Sequence, residues 1–259
     1  MAPGATSEGG HRTLISPRTA ETRCKAFIRA EVSAAGAKGA VVGVSGGVDS
    51  AVVVTLCAKA LKPNNVRGVV MPSESTPRQD VTDASDLCGS LGVPVLIFNI
   101  GEVLHAFRVN PELKVPYGNL KARVRMAYLY YLSNLEHRLV VGTGDKSEDT
   151  IGYFTKYGDG GVDISPIADL YKTEVRALAK HLGVPARICS KPSSPQLWGG
   201  HSAEEELGAS YEEIDRVLMA DKLGKVWGSR ADLELAGKLR RMTHANEHKL
   251  NPPPVLKFR

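Results

Sequence analysis

The chain has 259 residues, 42% of them hydrophobic and 24% charged, with a formal charge of +5. That balance gives an ordinary globular chain with one large core and excludes a disordered one. No apolar run reaches the ~18 residues of a membrane span, no apolar core marks a signal peptide, and no Lys/Arg block suggests a nucleic-acid track.

Residues 1–16, rich in Gly, Ser, Thr and Ala, read as a flexible leader, and residues 17–259 read as a single domain. Over residues 17–35 the apolar positions Cys24, Phe27, Ile28 and Val32 repeat at helical spacing. A strand at 40–44, a helix at 48–61, a strand at 66–71, a helix at 80–91 and a strand at 93–98 follow, punctuated by Pro63, Gly92 and Pro94. Strands and helices alternating this closely imply an α/β fold, a parallel sheet covered on both faces. The next helix, 120–135, carries Tyr128, Tyr130 and Tyr131, which serve either core packing or a subunit interface. A strand at 138–141 and a helix at 171–182 complete the α/β part. Residues 189–208 are turn-rich, and a small helical part follows at 211–220 and 230–242. From His248-Lys249 through Pro252-Pro253-Pro254 the chain is read as a non-helical surface segment.

The run Ser45-Gly46-Gly47-Val48-Asp49-Ser50 stands between the first strand and its helix. A glycine-rich turn entering a helix offers backbone N–H groups and a favourable field to phosphate. Asp49 cannot serve a bare anion and points to a divalent cation, with Glu148 a second ligand for magnesium. No Lys follows the glycines, which excludes the common GxxxxGK[ST] loop.

Parallel sheets place ligands at the carboxyl ends of their strands, which puts this loop, Met71-Pro72-Ser73, Asn99 and Gly142-Thr143-Gly144 on one rim. Tyr153, Phe154, Lys156, Tyr157 and Asp159 lie among the glycines of a ligand-facing loop. Lys172 opens a helix, where the dipole disfavours a cation unless an anion lies beside it. Arg123 and Arg125 are two apart on a helix and so diverge; either one could face a ligand. The four cysteines, Cys24, Cys57, Cys88 and Cys189, form no CxxC pair and fit a reducing cytoplasm.

With these motifs in place the chain resembles the ATP pyrophosphatases of the adenine-nucleotide alpha-hydrolase-like fold, a Rossmann-like three-layer sandwich around a parallel sheet. Gly118-Asn119-Leu120-Lys121-Ala122-Arg123, Gly142-Thr143-Gly144-Asp145-Lys146-Ser147-Glu148, the stretch 152–161, Asp169-Leu170-Tyr171-Lys172 and His248-Lys249 narrow the likeness. Together they are similar to the ammonia-dependent NAD synthetases over about residues 20–258.

That resemblance implies a homodimer that converts deamido-NAD, ATP and ammonia to NAD, AMP and pyrophosphate through an acyl-adenylate. It implies that Ser45, Gly46, Gly47, Val48, Asp49, Ser50, Thr143, Lys172 and Ser194 meet ATP, and that Asp49 and Glu148 hold magnesium. Arg123, Lys156, Asp163, His248 and Lys249 match positions that bind deamido-NAD, and Asp159 is a candidate to accept a proton or attract ammonium. Residues 190–206 match a cover loop, but His201 stands where many members carry Gln and Ala203 where they carry Asp. Glu204 to Glu206 are candidates for the missing carboxylate. The length leaves no room for an amidase domain, so free ammonia or a separate supplying protein is the expected nitrogen source. The rival readings are another ATP pyrophosphatase, acting on a purine nucleotide or RNA, and a nucleotide-binding regulator without turnover.

Overall fold

A computed structural model describes residues 15–222 and 229–258. The first fourteen residues of the expected leader lie outside the described residues. Its last two do not behave as a leader. Ser16 caps the first helix and Ile15 donates its N–H to Glu174 Oε1 at 3.0 Å.

Helix α1 (Pro17–Ala34) starts with proline at its first position, where no backbone N–H is needed. Strand β1 (Ala40–Gly43) leads into α2 (Val48–Leu61), β2 (Val66–Val70), α3 (Arg78–Ser90) and β3 (Val95–Ile97). Short α4 (Gly101–Ala106), long α5 (Lys114–Glu136), β4 (Leu139–Val140) and α6 (Lys146–Ile151) follow. Then come α7 (Lys172–Leu182), α8 (Ala186–Cys189), α9 (Ala203–Leu207), α10 (Tyr211–Lys222) and α11 (Arg230–Leu250).

The strands pair in parallel in the order β3-β2-β1-β4, with Ala40 opposite Val66 and Leu139. The pleat sorts the β1 side chains between two layers. Ala40, Val42 and Val44 pack with α1, α2, α3 and α7, whereas Val41 packs with α4 and α5. Helix α2 runs through the middle of the first layer and is apolar nearly all round, so ten of its fourteen residues are buried. A third apolar cluster, built on Ile151, Leu207, Tyr211, Ile214 and Leu239, joins α6, α9, α10 and α11 beside the sheet.

Three sequence expectations need correction. Helix α5 begins at Lys114, six residues before the expected start, because Pro116 sits in its first turn, where a missing N–H costs nothing. The turn-rich segment contains α9, capped by Ser202, whose hydroxyl accepts from Glu205 N–H. His248 and Lys249 lie in the last turn of α11 and not in a non-helical tail. The prolines begin only at Pro252, and Asn251 before them takes the extended conformation a following proline imposes. The cation Lys249 in the final helical turn also suits the dipole. The aromatic patch of α5 divides: Tyr128 stacks on Phe98 at 3.7 Å, while Tyr131 is 59% and Leu135 62% exposed.

Candidate active site

The turn after β1 is wired by its own hydroxyls. Ser50 Oγ accepts from Ser45 N–H at 3.1 Å and donates to Gly47 O at 3.1 Å. Gly47 N–H donates to Ser45 Oγ at 3.3 Å. Gly46 has φ +82°, and a Cβ there would lie 2.5 Å from the Asp80 carbonyl oxygen. Only glycine fits. Gly47 caps α2 with no side-chain acceptor, so the first-turn N–H groups remain available to an anion.

Beside this nest three carboxylates converge on one buried cation. Lys172 Nζ lies 2.9 Å from Asp49 Oδ2, 2.7 Å from Asp145 Oδ2 and 2.8 Å from Glu148 Oε1. Lys172 is fully buried and opens α7. Its backbone N–H donates to Ser147 Oγ at 2.9 Å, and Asp215 of α10 accepts from Ser147 Oγ and from Thr173 N–H. The anion expected beside a lysine at a helix N-terminus is therefore supplied first by the protein itself. Burial pushes Asp145 up to about 6 and Glu148 well above the ordinary carboxylate range, with Lys172 opposing both. Burial alone would lower Lys172, but Asp49, Glu148 and Asp145 more than reverse it and keep the ammonium charged.

Asp145 is the residue that sequence reading missed. Its side chain caps α6 by accepting from Glu148 N–H at 3.0 Å. The Gly144-Asp145 step before a helix was the available signal, because aspartate is a preferred cap.

A cavity of about 550 Å³ opens in front of the nest and the acidic cluster. Of the expected site residues, Ser45, Asp49, Ser50, Thr143, Glu148, Asp159, Ser194 and Lys249 line it. Gly46, Gly47 and Val48 shape the turn from behind, and Lys172 reaches the cavity only through Asp49 and Glu148. Asn99 is not on the wall; its side chain accepts from Gly101 N–H at 2.8 Å.

The residues expected to meet a dinucleotide separate. Lys249 Nζ donates to Gly152 O at 2.8 Å and Phe154 O at 2.9 Å, closing one side of the cavity. Lys156 donates to His248 O, while exposed Arg123 donates through Nε to Lys156 O at 3.3 Å. Those three form a surface group next to the wall residues Thr155 and Gly158. Arg125, not Arg123, faces the cavity, anchored to Met71 O at 3.0 Å. Asp163 accepts from Val140 N–H at 2.7 Å and Tyr130 hydroxyl at 3.0 Å, and so fastens the loop to β4 away from the cavity. Asp159 Oδ1 accepts from Thr155 N–H at 2.9 Å and holds the glycine-rich loop closed on itself.

The segment after α8 forms the opposite wall. Lys191 Nζ donates to Gly46 O at 3.1 Å and to Asp80 and Asp83 at 2.6 Å each. Gln196 reaches Asp80 Oδ2 at 2.7 Å, and Ser194 donates to His201 O. Lys191 and Gln196 tie the segment to the nest, and neither contact was legible in the sequence.

The comparisons with known proteins agree with this geometry. The family model described as NAD synthase matches residues 21–253. The NH(3)-dependent NAD(+) synthetase of Staphylothermus marinus is 45% identical over 242 residues, 88% of this chain and 87% of the relative. A solved structure of an NMN synthetase from Francisella tularensis superposes with TM-score 0.86 at 34% identity, covering 94% of this chain and all of the other. The NH3-dependent NAD synthetase from Campylobacter jejuni, solved with a nitrate ion, superposes with TM-score 0.79 at 33% identity over 94% of this chain and all of that one.

Proposed function

The chain belongs to the NAD synthase family and catalyses the ATP-dependent amidation of deamido-NAD by ammonia through an acyl-adenylate, and we propose how its residues divide that work. Its parallel sheet has the Rossmann-like, adenine-nucleotide alpha-hydrolase-like form. The nest of Ser45, Gly46, Gly47, Val48 and Ser50, with Thr143 and Ser194 on the facing walls, receives the ATP phosphates. One observation carries this reading: a buried lysine ringed by three carboxylates, directly behind a glycine nest and a cavity.

The acidic cluster fits magnesium. One oxygen from each carboxylate lies within 4.8 Å of the others, and Asp49 Oδ1 is buried without a donor. An all-oxygen set is what a hard divalent ion takes. Asp49 and Glu148, which line the cavity, are the ligands, with Asp145 behind them. When bound, the ion offsets the charge that grows on the departing diphosphate. Lys172 opposes the burial that works against ionisation of Glu148 and adds a fixed positive charge at the same place. A carboxylate is a poor acylating group, and its adenylate makes AMP the leaving group. Walling off the cavity with the segment 190–206 protects that intermediate from water.

Deamido-NAD lies across from ATP, with its pyridine carboxylate toward the nest. Lys249, Lys156, Arg123 and His248 serve its remainder, the last three from the exposed side, while Asp163, held by Val140 and Tyr130, supports the loop beneath them. Such a surface group suits a homodimer in which the second copy completes the dinucleotide site. The apolar surface left by Tyr131, Leu135 and edge-strand residue Ile97, each more than half exposed, is a fitting contact for that copy. Among the described residues no helix is long and apolar enough to cross a membrane. All four cysteines are free, and burial pushes the thiols of Cys24, Cys57 and Cys88 upward, which fits the cytoplasm.

Purified protein incubated with ATP, magnesium and ammonium should form NAD, AMP and pyrophosphate only when deamido-NAD is added. No NAD at any ammonium concentration would defeat the reading. Because one superposed structure is an NMN synthetase, the assay includes nicotinate mononucleotide. Faster turnover of the mononucleotide would move the substrate assignment, and light scattering on the same sample tests the dimer.

A further inference from the structure

His201 is buried on the cavity wall, with only 4% of its side chain exposed. Its ring is clamped from two sides. Trp198 stacks on it with centroids 3.6 Å apart, and Nε2 lies 2.7 Å from Glu206 Oε2. The same carboxylate oxygen accepts the Tyr153 hydroxyl at 2.5 Å. Hydrogen bonds from Tyr153 and His201 hold Glu206 below the usual carboxylate range against the opposing effect of burial. A carboxylate on Nε2 places the ring proton there and leaves Nδ1 as an acceptor. That Nδ1 is buried and has no hydrogen-bond partner. A buried acceptor without a donor costs free energy, and in a substrate cavity it calls for a ligand that donates.

The reaction supplies such a donor. Ammonium is the form of ammonia present at neutral pH, it carries N–H groups on every side, and it must lose a proton before it can attack. Resting on the proposed amidation, we propose that His201, held by Glu206, Tyr153 and Trp198, receives ammonium at Nδ1 and takes its proton to release the nucleophile. The charge stays balanced, because the imidazolium so formed pairs with the Glu206 carboxylate. Aromatic faces of Trp198 and Tyr153 on the same wall suit an approaching cation. The lone pair of ammonia then forms the C–N bond at the acyl carbon. The C–O bond to AMP breaks, and AMP leaves with that electron pair. The second proton passes from the nitrogen to solvent, and the imidazolium returns its own proton to solvent before the next turnover.

The test separates the two half-reactions in wild type, H201Q, H201A and E206Q. Adenylation is followed by deamido-NAD-dependent exchange of labelled pyrophosphate into ATP, and amide formation by kcat/KM for ammonium. Exchange should stay within about twofold in H201Q, while kcat/KM for ammonium falls about 100-fold, the scale of a lost acid–base group. Hydroxylamine, uncharged at neutral pH, needs no such deprotonation, so hydroxamate formation should fall far less. Glutamine keeps the ring's hydrogen-bonding capacity but cannot take a proton, so H201Q and E206Q carry the test if H201A fails to fold. An equal loss with ammonium and hydroxylamine, a parallel loss of exchange, or no loss with ammonium overturns the proposal. A wild-type enzyme with neither exchange nor NAD formation would instead overturn the underlying amidation.

Discussion

The wall formed by residues 43–50 and the wall formed by residues 193–207 face one cavity but are held in different ways. The first is a strand-to-helix turn locked by its own hydroxyls and by the largely buried helix α2 behind it. The second has the short helix α9, is folded on itself by Ser194 on His201 O, and is tied back to the nest by two side chains, Lys191 and Gln196. A ligand must be met by a fixed cradle on one side and admitted on the other. Polar tethers at Lys191 and Gln196, with apolar anchorage only at Ala203 and Leu207 beyond them, suit an element that opens at its tethered end. His201 and Ala203 are both on this second wall, His201 under Trp198 and Ala203 buried with its N–H on Ser193 O at 3.0 Å.

The comparison breaks first at the acidic cluster. Replacing Asp49→Ala should cut deamido-NAD-dependent ATP–pyrophosphate exchange by about 10³-fold or more, as expected when transition-state charge stabilisation is lost. The fold should remain, because Asp49 is partly exposed and Lys172 keeps two other carboxylates. Exchange retained within tenfold would remove Asp49 from the metal site.

The two nest glycines sharpen it next. Gly46→Ala forces a left-handed backbone and a 2.5 Å approach to Asp80 O, which should cost about 1–3 kcal/mol and most of the exchange activity. At Gly47 an added Cβ meets only Ser45 Oγ at 3.4 Å, so Gly47→Ala should cost only the poorer helix cap, about 0.5–1 kcal/mol, and less of the exchange activity. Urea midpoints that fell equally would show that the nest is not held as described.

The smallest effect concerns the tether. Burial works against ionisation of Asp83, yet hydrogen bonds from Lys191, Gln79 and Arg187 bring its carboxyl from the ordinary 3.8 down to about 2. A depressed carboxylate contributes stability that is full above the ordinary value and lost as pH falls through the folded one. Wild type should therefore lose stability between 3.8 and about 2 more steeply than Asp83→Asn, which lacks the titrating group. Parallel urea midpoints for the two proteins across that window would sink the tether.

Much of the molecule was legible because periodicity and turn chemistry are local. The α2 boundaries, the parallel order of alternation and the nest all follow from residues close together in the chain. Lys172 was legible as an anomaly, a cation at a helix start, but not as the centre of an ion cluster, since Asp49 lies 123 residues away. The choice of Arg125 over Arg123 for the cavity depends on how α5 is rotated against the sheet, which helical spacing leaves open. His248 and Lys249 were misread because the prolines after them were weighed more heavily than the helix before them.

The amino-acid order by itself determined the sheet and the glycine turn, because each rests on backbone geometry dictated by near neighbours, and the family, because its motifs are runs of adjacent residues. Only the tertiary structure decided which side chains share a charge, which wall each faces and which buried atoms lack a partner. Those outcomes depend on burial and on distances across the fold, and no local pattern records them.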